Sequence, residues 1–529
     1  MEQTIYLQPV KPLEEAEQKP ETEYTKSMKR QFPLFGISSL LYSAFYAFCL
    51  YKNASGITYP FFVIGTLCYF FFSMQKLGVP YKKDNIFYIV SVVLLGISNC
   101  MTASPQILFM NKCGIFLLTF TLMLHTVYND RAWNLPKYFA AIFQTIGSCF
   151  ACLFSPFGDM VFYFDAQKQE KTSKKNIFPA ILIGIAIAIP LLIFMTMLLA
   201  SADIVFDKIL VSITEVLNIW TITKILFLMT VVFFSSYGTF AALCKKSVRE
   251  EPRERTLFDP IIAIVVTSLL CILYVFFSVI QILYLFIGNM ELPAGYTYAS
   301  YAREGFFQLL VVCIINLLIV LTCLSLFRES KVLKAILTVI CACTFIMIFS
   351  SALRMILYVD RHSLTFLRLF VLWALAVIFL LMAGVTVYIF YKQFPLFFYG
   401  LSVVTVFYIA LSFSHPDYLV ARYNLVKPCE EHCLPAMYSD GPCDTEYLSR
   451  LSTDAAPAIL NPETNPYLIS VTDMLEKTEE IIKGDHNHNQ NYFDAYWMRD
   501  FYCKMETDTR GMGIRDFNFS LYKAKKYIE

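Results

Sequence analysis

The 529-residue chain is 57% hydrophobic and only 16% charged, with a mean hydropathy of +0.56, whereas soluble domains carry about 25% charged residues. That balance excludes a single water-solvated globule and makes lipid the solvent for much of the chain. The net charge of +2 hides an asymmetry, with 31 Lys+Arg against 22 Asp+Glu in residues 1–413 and 12 against 19 in residues 414–529. A basic membrane part fits loops that face an anionic cytoplasmic leaflet and gives no basic, aromatic-laced stripe for a nucleic-acid partner.

Residues 1–31 form a polar tail with six acids and five bases. The apolar run that starts at Phe32 is read as a span, because no small-residue cleavage pattern follows it. Crossing a hydrocarbon core about 30 Å thick takes about 20 apolar residues. By that rule spans are expected near 32–51, 57–75, 86–104, 107–128, 177–199, 222–243, 260–287, 305–326, 333–353, 366–391 and 395–413. The fold class is therefore all-α, a polytopic helical membrane protein of about eleven spans over residues 32–413.

Two stretches are read as interfacial helices. Residues 137–156 are apolar enough to tempt a further span, but crossing there would put Lys168, Lys171, Lys174 and Lys175 outside. They are read as interfacial or re-entrant, anchored by Trp133, Lys137 and Tyr138. Residues 202–221 mix Asp203, Asp207, Lys208 and Glu215 with apolar residues at helical spacing. Beyond Ser414 hydropathy collapses, which predicts a separate C-terminal domain, 414–529, mainly helical near 444–460, 466–483 and 516–527.

Cations in short loops set orientation. Lys26, Lys29 and Arg30, then Lys76/Lys82/Lys83, Lys245/Lys246/Arg249/Arg253/Arg255 and Arg328/Lys331/Lys334 place the N-terminus and alternate loops in the cytoplasm. The odd span count then leaves residues 414–529 extracytoplasmic.

Five polar residues approach the outer side of the membrane part. Arg303 and Glu304 open the eighth span with Gln308 one turn on, Arg354 lies near the end of the ninth, and Arg368 near the start of the tenth. Charge in a membrane usually faces a partner or water. The cluster therefore reads either as internal pairing and snorkelling or as a site for a small anionic ligand. Asn111 and Lys112 read as a span start, Asp203 and Asp207 as a solvated face, and Asp417, Asp444 and Asp454 as N-caps. Arg422, Tyr423 and Asn424 read as docking the C-terminal domain onto the helix ends.

Of sixteen cysteines, twelve lie within residues 49–343, where Cys behaves as a small hydrophobe; Cys149 and Cys152 form an isolated CxxC. The remaining Cys429, Cys433, Cys443 and Cys503 permit one or two disulfides, with three pairings open. No pattern identifies a metal, a cofactor, a nucleotide-binding loop or a catalytic residue.

The stretches SVIQILYLFIG and YTYASYAREGFFQLLVVCIIN (278–316), RMILYVDRHSLTFLR (354–368), HPDYLVARYNL (415–425) and DTEYLSRLSTDAAPAI (444–459) resemble a bacterial family of multi-span membrane proteins catalogued as a domain of unknown function, numbered 4173. Ser363 stands where that family carries Gly before Leu-Thr. The resemblance implies a bacterial plasma membrane and no particular reaction. The leading expectation is a non-enzymatic sensor or scaffold whose partners are the bilayer and an envelope protein. Transport of a small, possibly anionic substrate and an intramembrane enzyme acting on lipid-linked substrates are the alternatives.

Overall fold

A computed structural model describes residues 21–130, 133–170, 195–196, 199, 202–203, 219–248, 258–283, 305–426, 445–465 and 490–527. Among them every regular element is helical; the one extended pairing is an isolated bridge between Phe258 and Phe327. The protein is a polytopic all-α membrane protein. Eight helices are long and apolar enough to cross a bilayer: α2 (Phe32–Leu50), α5 (Pro105–Val127), α8 (Ile219–Cys244), α9 (Pro260–Gln281), α10 (Phe306–Leu326), α11 (Lys331–His362), α12 (Phe366–Phe390) and α13 (Leu396–Phe413).

These eight coincide with eight of the eleven expected spans, among the described residues. The helix α3 (Thr58–Lys76) forms where a span is expected, but Thr58, Thr66, Ser73, Gln75 and Lys76 dilute its apolar character. The helix α4 (Asn85–Met101) has 17 residues, about 26 Å of rise. The expected span at 177–199 lies mostly outside the described residues, as does most of 202–221. Helices α6 (Leu135–Ala151) and α7 (Ser155–Glu170) form a pair bent by 60°, either one broken span or a re-entrant loop. In the polar tail, Thr22 caps the short helix α1 (Glu23–Arg30) by accepting the Thr25 amide.

The chain divides into two compact units. The first comprises residues 1–47, 69–80 and 140–249. Its interior is aromatic: Tyr42 stacks on Tyr69 at 4.5 Å, Tyr69 meets Phe240 edge-on at 5.0 Å, and Tyr237 donates to Asp159 at 2.9 Å.

The second unit comprises residues 48–68, 81–139 and 250–529. Its core starts among α9 to α12, with Cys313, Val320, Leu337, Cys341, Met355 and Met382. It continues without interruption into Val420 and Ala421 of α14 (Pro416–Val426), then Leu448, Ala455 and Ile459, then Phe501 and Met505. The last group belongs to α15 (Thr445–Arg450), a 3₁₀ turn at Thr453–Ala455, α16 (Ala456–Ile459), and α17 (Gln490–Thr509); α18 (Phe519–Lys525) follows. Of the helical patterns expected beyond Ser414, 444–460 appears as three short pieces, 516–527 contains α18, and 466–483 lies outside the described residues. The 20-residue α17 is not anticipated by that reading; Met498, Phe501 and Met505, buried at i, i+3 and i+7, are the helical signal it carries.

Candidate functional site

The residues singled out around Arg354 occupy the far end of α11. Arg354 stands 23 residues beyond Lys331, which is about 35 Å along a helix and beyond a core about 30 Å thick. Its side chain is nonetheless buried. The guanidinium Nη2 donates to Gln281 Oε1 at 3.2 Å, and Ser350 Oγ donates to the same oxygen at 2.6 Å. Ser351 Oγ donates to the Phe306 carbonyl at 3.0 Å, tying α11 to the start of α10. Gly305 adopts φ +138°, and a Cβ there would fall 2.5 Å from Arg354 Nη1. Only glycine meets both demands, conformational and steric.

Arg368 lies 4.3 Å over the Tyr358 ring, one turn beyond Arg354, and donates to the Ser363 carbonyl. Gln308 is exposed, while Arg303 and Glu304 lie outside the described residues. Among the described residues Arg354 therefore meets a glutamine amide, and Arg368 a tyrosine face and a main-chain carbonyl. Cys503 is an exposed free thiol; Cys429, Cys433 and Cys443 lie outside the described residues. Asn111 is buried in a network across three helices, accepting from Tyr408 and Ser412 at 2.8 Å each and donating to Ser98 at 3.3 Å. Among the described residues no three His, Cys, Asp or Glu side chains group to hold a metal ion.

A more highly organised polar centre surrounds Asp454. Rather than capping a helix, Asp454 sits inside the 3₁₀ turn and its carboxylate reaches the connection between α4 and α5. Oδ1 accepts the Ala103 amide at 2.6 Å and the Ser520 hydroxyl. Oδ2 accepts the Thr102 hydroxyl, with His415 Nδ1 at 3.5 Å. An ionised carboxylate has about four acceptor sites, and three hydrogen bonds with His415 close by engage both oxygens within the protein. Burial pushes its pKa up, but the bonds from His415, Ser520, Thr102 and Ala103 outweigh burial and hold it below the usual carboxylate range. Asp417, in the first turn of α14, is the reverse. Burial, reinforced by the charge of Asp454, raises its pKa despite bonds from Ser452 and Ser104.

The same end is bolted at two further loops, and again at Thr102. Asn53 Nδ2 donates to the Arg515 carbonyl at 2.9 Å, and Asn518 Nδ2 donates to the Ser55 and Thr102 carbonyls at 3.0 Å each. Asn424 accepts the Leu364 amide at 2.7 Å and donates to the Leu364 carbonyl at 2.8 Å; Tyr447 Oη accepts the Phe366 amide at 2.8 Å. Asn424 therefore makes the docking bond that its place after the last span suggests. The partners of Asp454 escape sequence inspection because Thr102, His415 and Ser520 stand in unrelated stretches with no common spacing.

A second buried carboxylate closes the other end of α4 and α5. Asp130 Oδ2 lies 2.5 Å from His125 Nδ1 and accepts the Tyr138 hydroxyl. Lys82 Nζ donates to the Tyr128 carbonyl at 2.7 Å and to the His125 carbonyl. Burial raises the Asp130 pKa, but the bonds from His125 and Tyr138 and the charges of His125 and Lys82 leave it lowered.

The fold and these centres define a class: a helical membrane bundle whose polar C-terminal segment is hydrogen-bonded onto its loop ends. The family model described as Domain of unknown function (DUF4153) matches residues 89–461, more than two thirds of the chain, and the chain belongs to that family. This corrects the number 4173 attached to the sequence resemblance; the stretches that carried it, from 278 to 459, all lie inside the matched region. No curated protein and no solved structure matches the chain.

Proposed function

We propose that the protein is a non-catalytic scaffold or sensor of a bacterial plasma membrane. In this reading the N-terminus is cytoplasmic, and residues 414–529 form an extracytoplasmic layer held over the span ends to receive an envelope protein. The Asp454 carboxylate carries the reading. It joins Thr102, Ala103, His415 and Ser520 into one unit, and its engaged oxygens suit fixing a surface in place rather than acid-base work. The loops that this layer grips, 53–58, 102–105 and 363–366, are those that the cation distribution assigns outside. An impermeant maleimide tests the orientation: it labels Cys503 in intact cells and leaves a Cys503→Ser chain unlabelled at that position. Labelling only after the membrane is opened would place the layer inside.

Transport of a small anion is the second reading, and buried Arg354 is the observation that favours it. The two readings separate genetically. A scaffold requires that Asp454→Asn reproduce the phenotype of removing residues 427–529, while Arg354→Gln at normal membrane abundance does not. The opposite pattern would establish the transporter reading.

A further inference from the structure

The acidity of the C-terminal segment is not uniform. Residues 510–526 carry five bases, Arg510, Arg515, Lys523, Lys525 and Lys526, and one acid, Asp516, whereas the rest of 414–529 carries seven bases against eighteen acids. The basic stretch also holds apolar groups turned outward: Ile514 is 93% exposed, and Phe519, Tyr522 and Tyr527 are exposed. Phe517 gathers the Phe519 and Tyr522 rings at 5.2 and 5.3 Å. Bases flanking protruding apolar and aromatic side chains are the pattern of a segment that lies at a membrane surface.

Its attachment places it at that surface. Arg515 Nη1 donates to the carbonyl of Phe48 at 3.4 Å, in the last turn of α2, and the Arg515 carbonyl accepts the Asn53 amide at 2.9 Å. Phe48 is 65% exposed on an apolar span and so faces lipid. A loop tied to the main chain of a lipid-facing residue at a span end stands at headgroup level. Gly56 makes the close approach possible, since any Cβ there would collide with the Arg515 carbonyl and the Asn53 amide.

We infer that residues 510–526 form a membrane-surface contact in which Ile514 enters the boundary between headgroups and acyl chains while Lys523 and Lys526 meet anionic lipid phosphates; Arg510 is paired with Glu506 at 3.2 Å. Arg515 is committed to Phe48 and Asp516 and acts mainly as the tether. The inference does not depend on which compartment the layer faces, because both ends of a span meet headgroups.

The full chain with Ile514→Trp, compared with the unsubstituted chain, reports the depth of the loop in nanodiscs whose lipids carry brominated acyl chains. The added emission is quenched strongly in phosphatidylglycerol discs and weakly in phosphatidylcholine discs. Each neutralisation, Lys523→Gln or Lys526→Gln, weakens the contact about fivefold, at about 1 kcal/mol per cation near an anionic surface. Hydrogen exchange of residues 445–465 stays unchanged in these variants, which shows that the layer remains folded. Emission typical of water in both lipids would overturn the inference and leave Ile514 as a contact for a soluble partner. Quenching that ignores lipid charge, or that inorganic phosphate at constant ionic strength abolishes, would overturn the anionic-lipid assignment.

Discussion

The helix pair α4 and α5 carries a buried carboxylate at each end, and the two are assembled from different distances along the chain. Asp454 draws its donors from positions more than 300 residues away, Thr102 and Ala103, and from Ser520 beyond it. Asp130 takes His125 and Tyr138 from within eight residues, with Lys82 contributing charge from farther off. One centre fastens a distant segment to the bundle; the other stiffens a single turn. Loss of the first should undock a layer, and loss of the second should loosen a loop.

The largest effect is expected at Asp454. Asp454→Ala leaves the Ala103 amide and the Thr102 and Ser520 hydroxyls without their acceptor, and breaking such a buried charged centre costs about 3–5 kcal/mol. Hydrogen exchange should rise across residues 445–465 and 498–527 while α9 to α12 stay protected. The pH dependence runs the same way. A lowered carboxylate pKa contributes stability that is fully present above the unfolded value, about 3.9, and is lost as pH falls through the folded value. Undocking on acidification should therefore begin below about pH 4, and the Asp454→Ala chain should lack that transition.

Asp130→Asn is expected to cost about 1–3 kcal/mol, the penalty for leaving buried partners imperfectly matched. Its exchange signature should be confined to residues 125–138. A rise in exchange across 445–465 would break the contrast between the two ends, because it would show one cooperative unit running from Asp130 to Asp454.

How much of this arrangement could be read in the sequence follows the same division by distance. Hydropathy over about 20 consecutive residues is a local property, so α2, α5 and α8 to α13 are legible from composition alone. The pair Trp133 and Tyr138 is local too and meets at 5.2 Å, but both rings are buried in the protein, where the sequence suggests a headgroup anchor. The Asp454 centre is not legible, because a single Asp before an Ala-rich turn has the spacing of an N-cap, and nothing in residues 444–459 points to Thr102. Arg354 falls between. Its position near a helix end is a count of residues, but its partner Gln281 depends on how α9 packs on α11.

Two adjacent substitutions sharpen the contrast at smaller magnitude. Asn424→Ala removes the pair of bonds to Leu364 and should cost about 1–2 kcal/mol, read as a lower unfolding temperature. Asp417→Asn should do the opposite at neutral pH. A raised pKa means that the fold disfavours the ionised form, so the charge that the chain acquires above about pH 3.9 on unfolding opposes the native state. Removing the charge should raise stability by up to about 1 kcal/mol at pH 7, and the gain should vanish at pH 3.

The smallest effect tests a turn. Ser363 has φ +70° and ψ 164°, a region that suits glycine, and glycine is the residue that the family resemblance puts there. The Ser363 carbonyl accepts Arg368, and the next residue, Leu364, is clamped by Asn424. The surrounding bonds therefore hold a side chain in a conformation it disfavours. Ser363→Gly relieves that strain at the cost of a looser unfolded chain, and the relief, about 1 kcal/mol or more for a residue held in such a region, should exceed the entropy loss. A higher unfolding temperature would show that the Asn424 clamp works against local preference. An unchanged or lower one would show that the turn is set by the chain itself, and that the bonds to Leu364 only decorate it.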